Sequence, residues 1–183
     1  MIARAGQSNE KIDPVTATFW DLATHDDLAT LREQLDRIPR GVIGIGARCI
    51  CSRPLVVVTA PRLEDGTPFP TTFYLTNPGA VKACSTLEAE KVMEELNAWL
   101  ADDEEAAGAH ARAHQSYIEL RRTLGEVPEI DGISAGGMPT RVKCLHALVG
   151  HALVAGRGVN VVGDKALDMM EERGLWSPRR CTC

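Results

Sequence analysis

No apolar run in the 183 residues approaches the ~18–20 needed for a membrane-spanning helix. The first fourteen residues, MIARAGQSNEKIDP, lack the apolar stretch of a secretory leader, so a cytoplasmic chain without membrane insertion is expected. Surplus positive charge is missing too. Twenty Lys and Arg against 25 Asp and Glu leave a net charge of −5, which makes nucleic acid an unlikely partner. The GxxxxGK[ST] phosphate loop, the GxGxxG dinucleotide fingerprint and the GxSxG nucleophile elbow are all absent. No internal repeat is visible. These absences remove several common enzyme classes and leave the substrate open.

What is present suits one globular domain. Apolar residues make up 44% and charged residues 25%, which excludes a wholly disordered or collagen-like chain. Residues 1–15 read as a disordered N-terminal segment and 16–183 as a single domain. A helix is expected from about Asp26 to Arg37, capped by Thr24 or Asp26, with Leu28, Leu31 and Leu35 at helical spacing and Pro39 and Gly41 behind it. Val42 to Cys51 reads as a strand or tight turn. Leu55–Thr59 is the clearest strand and Phe73–Thr76 a second. Between them, residues 61–72 form a proline-stiffened connection with a turn signal at Asp65-Gly66.

The remainder reads as helical. Ser85-x-x-Glu88 has the form of a capping box, followed by an apolar stripe of Val92, Met93, Leu96, Trp99 and Leu100. A further helix is expected from about Asp103 to Leu124, then a loop from Pro128 to Gly137. Pro139 would open another helix running to about Ala155, and Asp164 would cap a short last one. The expected fold class is α+β: a small antiparallel sheet packed against several C-terminal helices.

Six cysteines carry the chemical signal: Cys49, Cys51, Cys84, Cys144, Cys181 and Cys183. In a reducing compartment clustered thiols point to metal or redox chemistry more than to a disulfide scaffold. Cys49-Ile-Cys51 places two thiolates on one side of an extended or turning segment, within reach of one metal. A closed site needs four donors. Cys181-Thr-Cys183 would supply two if the tail folds back, and Cys144 competes for a place. Zinc and an iron–sulfur cluster both suit thiolate donors, while a dithiol redox pair and simple reduced thiols stay open. Cys84 reads as structural.

The helix expected from Pro139 frames a second group. Cys144 and His146 would lie about 200° apart around it and would not converge on one ion. Cys144 and His151 would share a face but sit about 10.5 Å apart along the axis. His146 and His151 are therefore candidates for acid/base work, or else core histidines. Gly136, Gly137, Arg141 and Lys143 form a candidate anion site, because basic residues at the positive end of a helix make sense if an anionic, phosphate-like ligand binds there. Pairing of Arg141 and Lys143 with the acidic stretch Asp102–Glu105 is the competing reading. His110 and His114 share a helical face but lack further donors nearby. Arg62, Glu64 and Asp65 could face the same pocket. Ser134 has no neighbouring base in sequence.

Several stretches together resemble the DUF501 family, a domain of unknown function found mainly in actinobacteria: PRG at 39–41, RCIC at 48–51, PRLEDGTPFPTTFYLT at 61–76, SAGGMPTRVKCLHALVGHALVAG at 134–156 and GVNVVGD at 158–164. The resemblance extends from about residue 27 to the C-terminus. It implies a cytoplasmic, single-domain bacterial protein, and the family's gene neighbourhoods suggest a link to cell division or phosphate metabolism. The family usually has glycine after the first C-x-C, where this chain has Ser52, and often cysteine before Pro78, where it has Asn77.

The expectation is thus a protein holding zinc or an iron–sulfur cluster through Cys49, Cys51, Cys144, Cys181 and Cys183. An anionic ligand would bind beside it at Gly136–Lys143. Two alternatives stand: a non-enzymatic interaction protein, docking a division-machinery partner on its acidic helices over 86–124, and a dithiol redox protein using Cys181 and Cys183.

Overall fold

The computed structural model describes residues 19–183 apart from Ile38 and Thr182. The expected disordered segment, 1–15, lies outside the described residues. The architecture is α+β, with four antiparallel strands in the order β1-β2-β3-β4 and six α-helices, most of them C-terminal to the sheet.

The N-terminal helix α1 spans His25–Leu35, and its cap is Thr24, in a reciprocal box with Asp27. It lies on one face of the sheet. Leu31 packs there against Ile45 of β2 (Val42–Arg48) and Val57 of β3 (Pro54–Thr59). The alternate residues Val56 and Val58 face the main core on the other side. Buried on both faces, β3 reads as an unbroken apolar run, as a central strand should. β4 (Phe73–Leu75) pairs antiparallel with β3, which confirms the hairpin with its long connection. The edge strand β1 (Asp21–Leu22) is two residues long, too short to leave a periodic signal.

Helices α2 (Pro78–Ala89), α3 (Val92–Asp102), α4 (Glu104–Arg122), α5 (Leu145–Ala155) and α6 (Val161–Glu172) cover the main core. Three expected helix starts move. First, Ser85-x-x-Glu88 is no capping box. It lies inside α2, which begins seven residues earlier under an Asn77 cap with Pro78 in its first turn. Second, the cap of α6 is Asn160, which accepts from Gly163 N–H, while Asp164 lies within the first turn. Third, α5 begins at Leu145 and not near Pro139. The cause is tertiary. The Asn97 side chain of α3 grips Val142 on both backbone groups, accepting its N–H at 2.8 Å and donating to its carbonyl at 3.0 Å. Gly136 O takes the N–H of Lys143 at 2.7 Å. With those partners the segment turns over 136–140 and stays non-helical through Cys144, and helical bonds begin only after it.

α5 packs against the sheet on one side and α6 on the other. A Cβ on Gly163 would lie 2.4 Å from Leu148 O, so glycine is what lets the two helices approach this closely. Beyond α6 the chain turns back. Trp176 is buried in the main core, and Glu171 accepts from both Ser177 Oγ (3.0 Å) and the Arg179 guanidinium (2.5 Å). The last residues are thereby steered toward the start of α2.

Candidate metal centre

β2 ends at Arg48, whose guanidinium forks onto the Asp27 carboxylate with bonds of 2.7 and 3.0 Å. This fork ties α1 to the end of the strand. It holds the Asp27 carboxyl down at about 2, despite the opposing effect of burial. Immediately after it the chain makes a tight turn, with Ser52 N–H donating to Cys49 O at 2.8 Å and Cys49 N–H to Arg53 O at 2.9 Å. Ser52 sits at φ +70°, a left-handed conformation that favours glycine. The turn directs Cys49 inward, where it is buried, and leaves Cys51 exposed.

The returning tail meets this turn. The sulfurs of Cys49, Cys51, Cys181 and Cys183 all lie within 4.8 Å of one another. Asn77 at the head of α2 donates to Cys183 Sγ at 3.2 Å, fixing the tail from the other side. Cys51 is drawn down to about 7, first by the backbone N–H of Arg53 and then by the Cys181 thiol. Burial, then the Cys49 and Cys51 thiols, push Cys183 up to about 12. Four sulfurs at these separations can hold a metal ion. Thiolates ~2.3 Å from a tetrahedral ion lie within ~4 Å of each other, close to the 4.8 Å within which these four sulfurs fall.

Cys144 does not join them. It stands outside α5 as its extended cap residue, at φ −151° and ψ 111°. The helical-wheel separation expected between Cys144 and His146 therefore does not apply. Cys144 Sγ lies 4.0 Å from His146 Nδ1, and Glu88 Oε1 lies 3.2 Å from the same nitrogen. These three form a second group whose donor atoms converge within 4.8 Å. Glu88 Oε1 also accepts the N–H of Leu145 at 2.7 Å, so its carboxylate occupies the N-terminus of α5. His146 is raised above its ordinary range, chiefly by the Cys144 thiol beside it, and Cys144 is correspondingly lowered. Cys84, buried nearby, is pushed up by desolvation and stays a neutral thiol, in keeping with its structural reading.

A cavity of about 580 Å³ opens beside this group, lined by residues that include Ser134, Gly136, Lys143, Cys144 and His146.

Residues 45–168 match the family described as "Protein of unknown function (DUF501)". That span exceeds half the chain. The chain belongs to this family. The match is narrower than the resemblance from residue 27 onward. It contains Cys49, Cys51, Glu88, Cys144 and His146 and stops short of the tail cysteines. No curated protein and no solved structure matches.

The other candidates fall elsewhere. His151 is fully buried, stacked on Phe73 with centroids 5.4 Å apart and hydrogen-bonded through Nδ1 to the Asn160 amide at 3.1 Å. Burial pushes it down to about 4, so it is a neutral core residue at ordinary pH. Gly136 and Gly137 precede no helix start. Their left-handed φ values, +69° and +96°, serve a turn in which a Cβ on Gly137 would meet Arg141 O at 2.6 Å. Arg141 is exposed, and its carbonyl lies 3.3 Å from His110 Nε2. Among the described residues neither Arg141 nor Lys143 pairs with Asp102–Glu105. Arg62 pairs with Glu129 at 2.6 Å and Asp65 with Arg40, and the cavity lining includes neither of them nor Glu64.

Sequence reasoning missed two participants. In sequence Glu88 reads as part of a Ser85-x-x-Glu88 capping box, and a carboxylate near a later helix start is not visible in one dimension. Ser134 does have a histidine neighbour: His114 Nδ1 is 2.8 Å from its Oγ, across twenty residues of sequence, while the hydroxyl donates to Met138 O at 3.3 Å.

Proposed function

We propose that this protein binds one metal ion, zinc by preference, through the thiolates of Cys49, Cys51, Cys181 and Cys183, and that the ion fastens the C-terminal segment to the end of β2. The observation that supports this is the convergence of two C-x-C pairs, more than a hundred residues apart in sequence, within 4.8 Å. A multi-iron cluster binds its thiolates to different irons and spreads the sulfurs further, so the spacing favours a single ion. Four thiolates leave no open position, which is the arrangement of a structural site and not of a metal that activates water. An anionic ligand has narrower support: Gly136 and Lys143 line the cavity, while Arg141 does not.

The test is the metal content of chain purified without oxygen, for wild type, Cys51→Ser and the Cys181→Ser/Cys183→Ser double variant. A tightly held zinc in wild type that both variants lose, with a lower melting temperature, is the expected result. The full wild-type metal content retained in the double variant would contradict the reading. So would metal-free chain with a reversible Cys181–Cys183 disulfide, the outcome of a dithiol redox protein.

A further inference from the structure

We propose that Glu88, Cys144 and His146 form a second metal site, distinct from the four-cysteine site and open toward the 580 Å³ cavity. The donors are of three chemical kinds. They come from two elements, α2 for Glu88 and the start of α5 for the other two. The thiol–imidazole separation is 4.0 Å, against ~3.5 Å expected for sulfur and nitrogen donors on a tetrahedral zinc, and the imidazole–carboxylate separation is 3.2 Å, against ~3.3 Å for two donors at ~2.0 Å.

The hydrogen bonds set the histidine for this task. Ser85 Oγ lies 3.0 Å from Val81 O, to which it donates, and 3.3 Å from His146 Nε2. With its own proton committed to that carbonyl, the hydroxyl accepts from Nε2–H. In the neutral imidazole this leaves the lone pair on Nδ1, facing a carboxylate oxygen and a sulfur. Three electron-rich atoms facing one another need a cation to share, either a proton on Nδ1 or a metal ion. A metal ion meets that need, with Ser85 as the outer partner that orients the ligand. Glu88 Oε1 accepts Leu145 N–H with one lone pair and keeps the other for the ion.

Three protein donors leave a coordination position free, as catalytic sites do and four-thiolate sites do not. Cys144 and His146 both line the cavity, so the free position adjoins space for a ligand. The mixed S, N, O donor set suits zinc among the common divalent ions.

Cobalt(II) titration of the full chain, stripped of metal and kept reduced, tests this. Wild type should take up two equivalents. His146→Ala should take up one, with the intense charge-transfer band of the four-thiolate site intact. The Cys181→Ser/Cys183→Ser chain should also take up one, with only a single thiolate's band. Glu88→Gln, which keeps an acceptor for Leu145 N–H, should lose or weaken the second equivalent while its circular dichroism stays that of wild type. Equal uptake by wild type, His146→Ala and Glu88→Gln would overturn the proposal. One equivalent in wild type that only the tail variant loses would overturn it and leave the four-cysteine site standing. One equivalent that only His146→Ala loses would support it and remove the four-cysteine site.

Discussion

At the scale of single residues, burial and backbone conformation decide what each candidate does. His151 is held neutral by its surroundings, with its titration pushed down to about 4. In the unfolded chain a histidine titrates near ~6.5. Between those values the unfolded state binds more protons, so stability is full above about pH 6.5 and falls as the pH drops toward about 4. The contribution of His151 is on the order of 3 kcal/mol. His110 and His114, also lowered by burial, add to the same slope. Urea unfolding at a series of pH values should show His151→Gln flattening the decline in that window. An unchanged slope would contradict the assignment. Ser52 makes the opposite kind of statement. Its φ of +70° costs a residue with a side chain ~1–2 kcal/mol, partly offset by the entropy glycine loses on folding. Ser52→Gly should therefore stabilise the chain by up to about 1 kcal/mol, seen as a rise in melting temperature. A fall would show that the Cys49–Arg53 turn depends on serine itself.

At the scale of elements, the sequence and the structure agree wherever local pattern dominates. The Leu28–Leu31–Leu35 spacing, the β-branched Leu55–Thr59 run and the helical stretch from about Asp103 to Leu124 each specify an element from their own residues, and each is present. They part where a distant side chain supplies the partner. Pro139 suits a helix start locally, but Asn97 claims both backbone groups of Val142 and Glu88 claims the first N–H of α5. The same displacement explains the candidate sites. The thiolate quartet was legible because each C-x-C is a local signal. The Glu88–Cys144–His146 group was not, because Cys144 stands outside α5, where helical spacing does not govern its side chain. Asn97→Ala tests this explanation. It leaves a buried donor and acceptor unpaired, at a cost of about 1–3 kcal/mol, which for a chain of this size lowers the melting temperature by roughly 2–4 °C per kcal/mol. Asn97→Asp, which keeps the acceptor, should fall between. A neutral Asn97→Ala would mean that the 141–144 segment is held by something else.

At the scale of the whole molecule, the path of the chain brings its two ends of chemistry together. α1 is pinned to β2 by Asp27 and Arg48, β2 leads into the first C-x-C, and Trp176 anchors the return of the tail toward Asn77 and the second. Among the described residues no helix is long and apolar enough to cross a membrane. The central claim is that one ion joins these two segments through sulfur alone. X-ray absorption at the metal edge of the His146→Ala chain, in which only the four-cysteine site remains, measures this directly. The expected result is a single shell of four sulfurs at ~2.3 Å. A shell containing nitrogen or oxygen, or a chain that binds no metal when kept reduced, would contradict it.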